Sequence, residues 1–118
     1  MGKLSTHVLD TFHGSPAAGV VIELFSLDTD HTSHRLTHTV TNADGRTDAP
    51  LLAAADVRRG RYRLVFHIGD YFRSRGVALP DPPFVDRVTV DFGIAEDGGS
   101  YHVPLVCSPW AFATYRGS

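Results

Sequence analysis

The sequence predicts an all-β fold, a two-sheet sandwich of eight short strands with one short helix, and three observations predict it. Eleven of the thirteen acidic residues are Asp, which forms helices less readily than Glu. Seven prolines and eleven glycines interrupt the chain often, which limits helix length and favours strands joined by turns. Apolar residues also recur with period two. The clearest case sets Tyr62, Leu64, Phe66 and Ile68 against Arg61, Arg63, Val65 and His67, the alternation of a strand with one apolar and one mainly polar face.

Taken in order, Leu4 to Phe12 carries β-branched and apolar residues and reads as the first strand, and the turn residues from His13 to Gly19 separate it from a second, Val20 to Leu27. Asp28 to Ser33 is a polar loop. Arg35 to Thr41 alternates as a third strand, and Asn42-Ala43-Asp44-Gly45 is a hairpin signal because Asp-Gly tolerates positive φ, so a fourth strand is expected from Arg46. Leu51 to Asp56 holds Ala53-Ala54-Ala55 and could form one helical turn. The strand through Tyr62 is the fifth. Asp70 to Val77 reads as the helix, with Asp70 as its N-cap and with Gly76 and the prolines at 80, 82 and 83 closing it. Phe84, Val88, Val90 and Phe92 mark the sixth strand, Tyr101 to Cys107 the seventh, and Trp110 to Tyr115 the eighth, after Pro109.

A chain of 118 residues fits one domain and buries roughly 65% of its unfolded surface. Cys107 is the single cysteine, so no internal disulfide forms and nothing calls for an oxidising compartment. A net charge of −2 gives no general attraction to nucleic acid or anionic lipid. No apolar run approaches the roughly 18 residues of a membrane span. Residues 1–7 lack the pattern of a signal peptide; they nominally match the Met-Gly-x-x-x-Ser/Thr acylation pattern, which is loose and has no polybasic patch beside it. The expected compartment is the cytoplasm.

Seven histidines raise the question of metal. His31, His34 and His38 are the tempting trio, but they straddle a loop and a strand start without the framed spacing of a zinc site, and read as solvated. His13 in its turn and His67 on the polar face of its strand read as surface residues. Arg58, Arg59, Arg61 and Arg63 form the one basic cluster, with no aromatic interleaving of a nucleic-acid site. Cys107 shares the alternation of Tyr101, Val103 and Leu105 and reads as a small buried hydrophobe. No Gly-x-Ser-x-Gly elbow exists. His7 and His102 differ because each sits within a strand, His7 sharing a face with Ser5, Leu9 and Thr11 and His102 with Pro104, Val106 and Ser108. Periodicity alone does not say whether those faces meet.

Leu4-Ser5-Thr6-His7-Val8-Leu9-Asp10, with Gly14-Ser15-Pro16-Ala17 after it, resembles the start of the transthyretin-like family, as do Thr41-Asn42-Ala43-Asp44-Gly45-Arg46 and Tyr101-His102-Val103-Pro104-Leu105. The final Tyr115-Arg116-Gly117-Ser118 resembles the terminal signature of that family's enzymatic branch, which hydrolyses 5-hydroxyisourate. The resemblance spans essentially the whole chain, apart from Asp28 to Ser33 and Ala53 to Arg59. It implies a transthyretin-like sandwich assembled as a homotetramer, with sites at the dimer–dimer interface that bring together His7, Arg46, His102 and the terminal tetrapeptide. It implies His7, Arg46 and His102 as catalytic residues, with substrate also held by Tyr115, Arg116, Gly117 and Ser118, and neither metal nor cofactor. A histidine would take a proton from water, and Arg46 would bind the oxygen on which charge develops. Which histidine is the base stays open. A carrier of a small ligand in the same channel is the competing class.

Overall fold

The computed structural model describes residues 2–118; Met1, and with it the start of the acylation pattern, lies outside the described residues. Among the described residues eight strands form: β1 (Leu4–Asp10), β2 (Ser15–Pro16), β3 (Val21–Leu27), β4 (Ser33–Val40), β5 (Gly60–His67), β6 (Arg87–Ile94), β7 (Tyr101–Cys107) and β8 (Phe112–Thr114), with one α-helix, α1 (Ile68–Ser74), after β5. They build two four-stranded sheets, in the orders β2-β1-β7-β8 and β4-β3-β5-β6. Alternation does the sorting. Along β1, Leu4, Thr6, Val8 and Asp10 are buried while Ser5, His7 and Leu9 are half-exposed, and β5 buries Tyr62, Leu64 and Phe66. The inward sets of both sheets meet in a core that includes Val8, Ile22, Leu24, Leu64, Phe66, Phe72 and Leu105. Among the described residues no helix is long and apolar enough to cross a membrane.

Several elements depart from the sequence reading. No strand forms from Arg46; the segment turns as expected, with Gly45 at φ +73°, but does not fold back on β4. Asn42 holds it instead, its side-chain oxygen accepting from the Asp44 and Arg46 N–H groups at 2.9 and 3.2 Å. The Gly45 carbonyl then accepts from Val8 N–H at 2.8 Å, carrying the loop across to the other sheet. A Cβ at Gly45 would lie 2.4 Å from the Val8 carbonyl oxygen, so this approach requires glycine. The eighth strand is recovered by Ser15–Pro16, which pairs with Leu9 and Asp10.

The helix begins at Ile68, and Asp70 is not its cap. The N–H groups of Ile68 and Gly69 donate to the Asp86 carbonyl at 3.1 and 2.9 Å, so a tertiary backbone acceptor does what a capping side chain would. Asp70 lies within the first turn, 3.6 Å from Arg73. Residues 54–56 form a 3₁₀ turn, and Phe84 lies off β6 and is 75% exposed.

One buried polar cluster ties α1 to β1. The Asp10 carboxylate accepts from His13 N–H at 2.9 Å, from the His13 ring at 2.5 Å and from the Tyr71 hydroxyl at 2.7 Å, and Arg75 donates to the Tyr71 oxygen at 2.9 Å. Burial alone would raise the Asp10 carboxyl; the donors from His13 and Tyr71 outweigh it and hold the group below its ordinary value. Burial and the Asp10 charge push the Tyr71 phenol up to about 12. His13 is therefore a hydrogen-bond partner of a buried carboxylate, not a free surface residue. His67 departs in the same way: its side chain is 14% exposed and its Nε2 donates to Glu23 at 2.8 Å.

Candidate active site

The parallel pairing of β1 with β7 sets Ser5 opposite His102 and His7 opposite Pro104. The faces bearing His7 and His102 are thus one continuous outer face, and both histidines are half-buried on it. Three loops or strand ends converge there: the start of β1, the Asn42–Arg46 loop carried over by Val8, and the residues after β8.

His102 is fixed on two sides. Its Nδ1 lies 2.8 Å from the Ser5 hydroxyl. On the other edge the Gly117 N–H donates to the His102 carbonyl at 2.8 Å, and a Cβ at Gly117 would lie 2.6 Å from the ring's Cδ2. Only glycine lets the backbone pass so close. His7 donates from Nε2 to the Asp44 carbonyl at 2.9 Å, since a carbonyl oxygen can only accept. Its contact therefore braces the loop that ends in Arg46.

Arg46, His102 and Ser118 line one open cleft of about 460 Å³ together with Lys3, Ser5, Ser100 and Tyr101. Two of its lining side chains, Lys3 and Arg46, are cations. Burial first, then the nearby charges of Arg46, His7 and Lys3, lower His102 below its ordinary value of 6.5, which leaves the ring neutral at pH 7 with a free lone pair.

Tyr115 and Arg116 lie on the other side of His102. They line a second cavity, about 230 Å³, between β6 and β8, which shares Tyr101 and His102 with the first. The Arg116 guanidinium sits 4.4 Å from the centroid of the Tyr101 ring and donates to the Ser100 carbonyl at 3.2 Å. Within one chain, then, Arg46, His102 and Ser118 share a cleft, His7 stands beside it, and Tyr115 and Arg116 line the adjoining cavity. Sequence reasoning passed over Ser5 and Lys3 as site residues. The available signal for Ser5 was its place two residues before His7, on the same strand face.

The histidines at 34 and 38 lie outside both cavities. His34 donates to Asp28 at 2.8 Å, and His38 contacts Arg35. Among the described residues no group of three or more His, Cys, Asp or Glu side chains is arranged to hold a metal ion. Arg63 makes a bidentate contact with Asp91 at 2.6 and 2.9 Å. Cys107 is buried, and burial with the Asp10 charge pushes its thiol up to about 12.

Comparison with known proteins follows the same lines. Residues 4–117 match the family described as HIUase/Transthyretin. A 5-hydroxyisourate hydrolase of Pseudomonas aeruginosa is 52% identical over 118 residues, covering 100% of this chain and 93% of that protein. The crystal structure of an (S)-allantoin synthase superposes with a TM-score of 0.91 at 41% identity over 99% of this chain, which spans 44% of that longer one. Sea bream transthyretin, solved in complex with thyroxine, superposes with a TM-score of 0.86 at 25% identity, covering 98% of this chain and 94% of its own. The family match spans nearly the whole chain and identity to curated relatives runs to about half over its full length, and the chain belongs to the HIUase/Transthyretin family.

Proposed function

We propose that this chain hydrolyses 5-hydroxyisourate, adding water across a ring amide to give 5-hydroxy-2-oxo-4-ureido-imidazoline-5-carboxylate. The observation that carries the reading is the cleft in which a neutral His102 stands beside Arg46 and Ser118, in a chain about half identical to proteins named for that activity. Water is a poor nucleophile at neutral pH. An imidazole with a depressed pKa can take its proton during attack on the carbonyl, where an imidazolium cannot. Negative charge then develops on the carbonyl oxygen, and Arg46 meets it with a planar fork of donors that stays charged throughout. His7 acts beside them by holding the Arg46 loop through Asp44, with its Nδ1 left for substrate. Gly117 and Ser118 bound the cleft, and Tyr115 and Arg116 complete substrate binding where subunits meet.

The reading includes a homotetramer with sites at the dimer–dimer interface, acting in the cytoplasm on a product of urate oxidation. Exposed aromatic residues support the assembly: Phe12, Phe84, Trp110 and Phe112 are 55%, 75%, 56% and 50% exposed in the single chain, more apolar surface than an isolated subunit gains from showing. Imidazole and guanidinium cover proton transfer and charge stabilisation, so the mechanism calls for no metal or cofactor. A ligand carrier is not favoured, because binding alone makes no use of a base set beside an anion-stabilising arginine.

The test is spectrophotometric: freshly generated urate oxidase product should decay faster with the protein than without it. Arg46→Ala should lower the rate roughly a hundredfold to a thousandfold, the range for one lost transition-state donor. An uncatalysed decay rate with the wild-type protein would overturn the reading.

A further inference from the structure

We propose that Ser5 is a positioning residue for His102, its hydroxyl accepting a hydrogen bond from Nδ1–H so that the Nε2 lone pair is the one presented to the substrate. The proposal rests on the hydrolase reading above and goes beyond it, since it assigns the tautomer of the base and the group that selects it.

The geometry is built into the strand pairing. Parallel register places Ser5 opposite His102, and one residue on, the buried Thr6 hydroxyl donates to the Val103 carbonyl at 2.7 Å, which locks that register. Nδ1 and Cδ2 are the two ring atoms that flank Cγ. Ser5 closes the first at 2.8 Å and Gly117 closes the second, so the Cε1–Nε2 edge is the one left for a ligand.

A 2.8 Å contact fits two tautomers, and the charges around the ring choose between them. Ser5 could donate to Nδ1, which would put the proton on Nε2 and aim an N–H dipole into the cleft. That cleft is lined by Arg46 from the loop after β4 and by Lys3 just before β1, with Ser118 beside them, and the charges of Arg46 and Lys3 bear on the ring; Arg116 and Asp91, the latter paired with Arg63, line the second cavity. A lone pair is stabilised towards cations and an N–H is not. The proton therefore belongs on Nδ1, with Ser5 as its acceptor. When Nε2 takes the proton of the attacking water the ring becomes a cation, and the Nδ1–H contact to Ser5 becomes charge-assisted and stronger. Ser5 thus holds the base in its active form and favours the form it turns into.

Ser5→Ala should lower kcat roughly tenfold to a hundredfold, the scale on which losing the partner that fixes a histidine's tautomer is felt, with KM little changed. The acid limb of kcat/KM should move to lower pH, because the imidazolium loses its acceptor. Ser5→Thr, which keeps the hydroxyl, should restore both. A readout free of turnover separates this proposal from the hydrolase reading: ¹⁵N NMR of the His102 ring should show the proton on Nδ1 in the wild-type protein and loss of that preference in Ser5→Ala. An Nε2–H tautomer in the wild type would overturn the proposal whether or not the protein is a hydrolase. So would unchanged kcat and pH profile in Ser5→Ala, or a Ser5→Thr protein as impaired as Ser5→Ala.

Discussion

The neutral state of His102 has a consequence that can be measured away from substrate chemistry. Its folded-state pKa lies below the ordinary 6.5, so the unfolded chain binds that proton more readily than the fold does. The stability involved is fully present above pH 6.5 and is lost as pH falls through the lower folded value. For catalysis the same shift places the acid limb of kcat/KM below pH 6.5, checked by initial rates across a pH series; a limb above that value would mean another group is the base. Gly117→Ala should reduce turnover roughly a hundredfold, the scale of a misplacement of about 1 Å, because the added methyl would push on the His102 ring from 2.6 Å. A melting curve should show the fold unaffected. At this scale the sequence was least legible. His7, Arg46 and His102 each look like ordinary surface residues when taken singly, and only the resemblance to a family joined them. Ser5 carried no chemical signal, since a serine on a strand gains meaning from what the next strand sets opposite it.

Elements whose burial alternates were legible, and those decided by distant partners were not. The strands through Tyr62 and Tyr101 could be read because side-chain period reports the buried face directly. Asn42 to Gly45 was recognised as a turn, yet its docking depends on Val8, more than thirty residues earlier in the chain. The start of α1 depends on the Asp86 carbonyl, a backbone group that no residue type announces. The Asp10 cluster gives this scale its prediction. Tyr71→Phe removes one donor to a buried carboxylate and should cost about 1.5–3 kcal/mol, read from urea denaturation at neutral pH. Activity should be retained, since the cluster does not line the cleft. Because Asp10 is held below its ordinary 3.8, its stabilisation is present above that pH and lost as pH falls through the lower folded value, so the variant and the wild type should converge in acid.

At the scale of the whole molecule, the aromatic residues left exposed and the edge strands of the two sheets, β6 and β8 among them, lead to an assembly prediction. Light scattering at micromolar concentration should give four times the subunit mass, with closed symmetry. A subunit mass would remove the shared-site reading while leaving the fold intact. The pairing of β1 with β7 also bears on how the molecule forms. Ser5 and His102 are 97 residues apart in sequence, and closing a loop of that length costs about 4 kcal/mol of chain entropy before either strand is rewarded. Topologies dominated by such non-local pairing fold in milliseconds to seconds, not microseconds. The cleft exists only once this closure is made, so during refolding catalytic competence should be among the last properties to return.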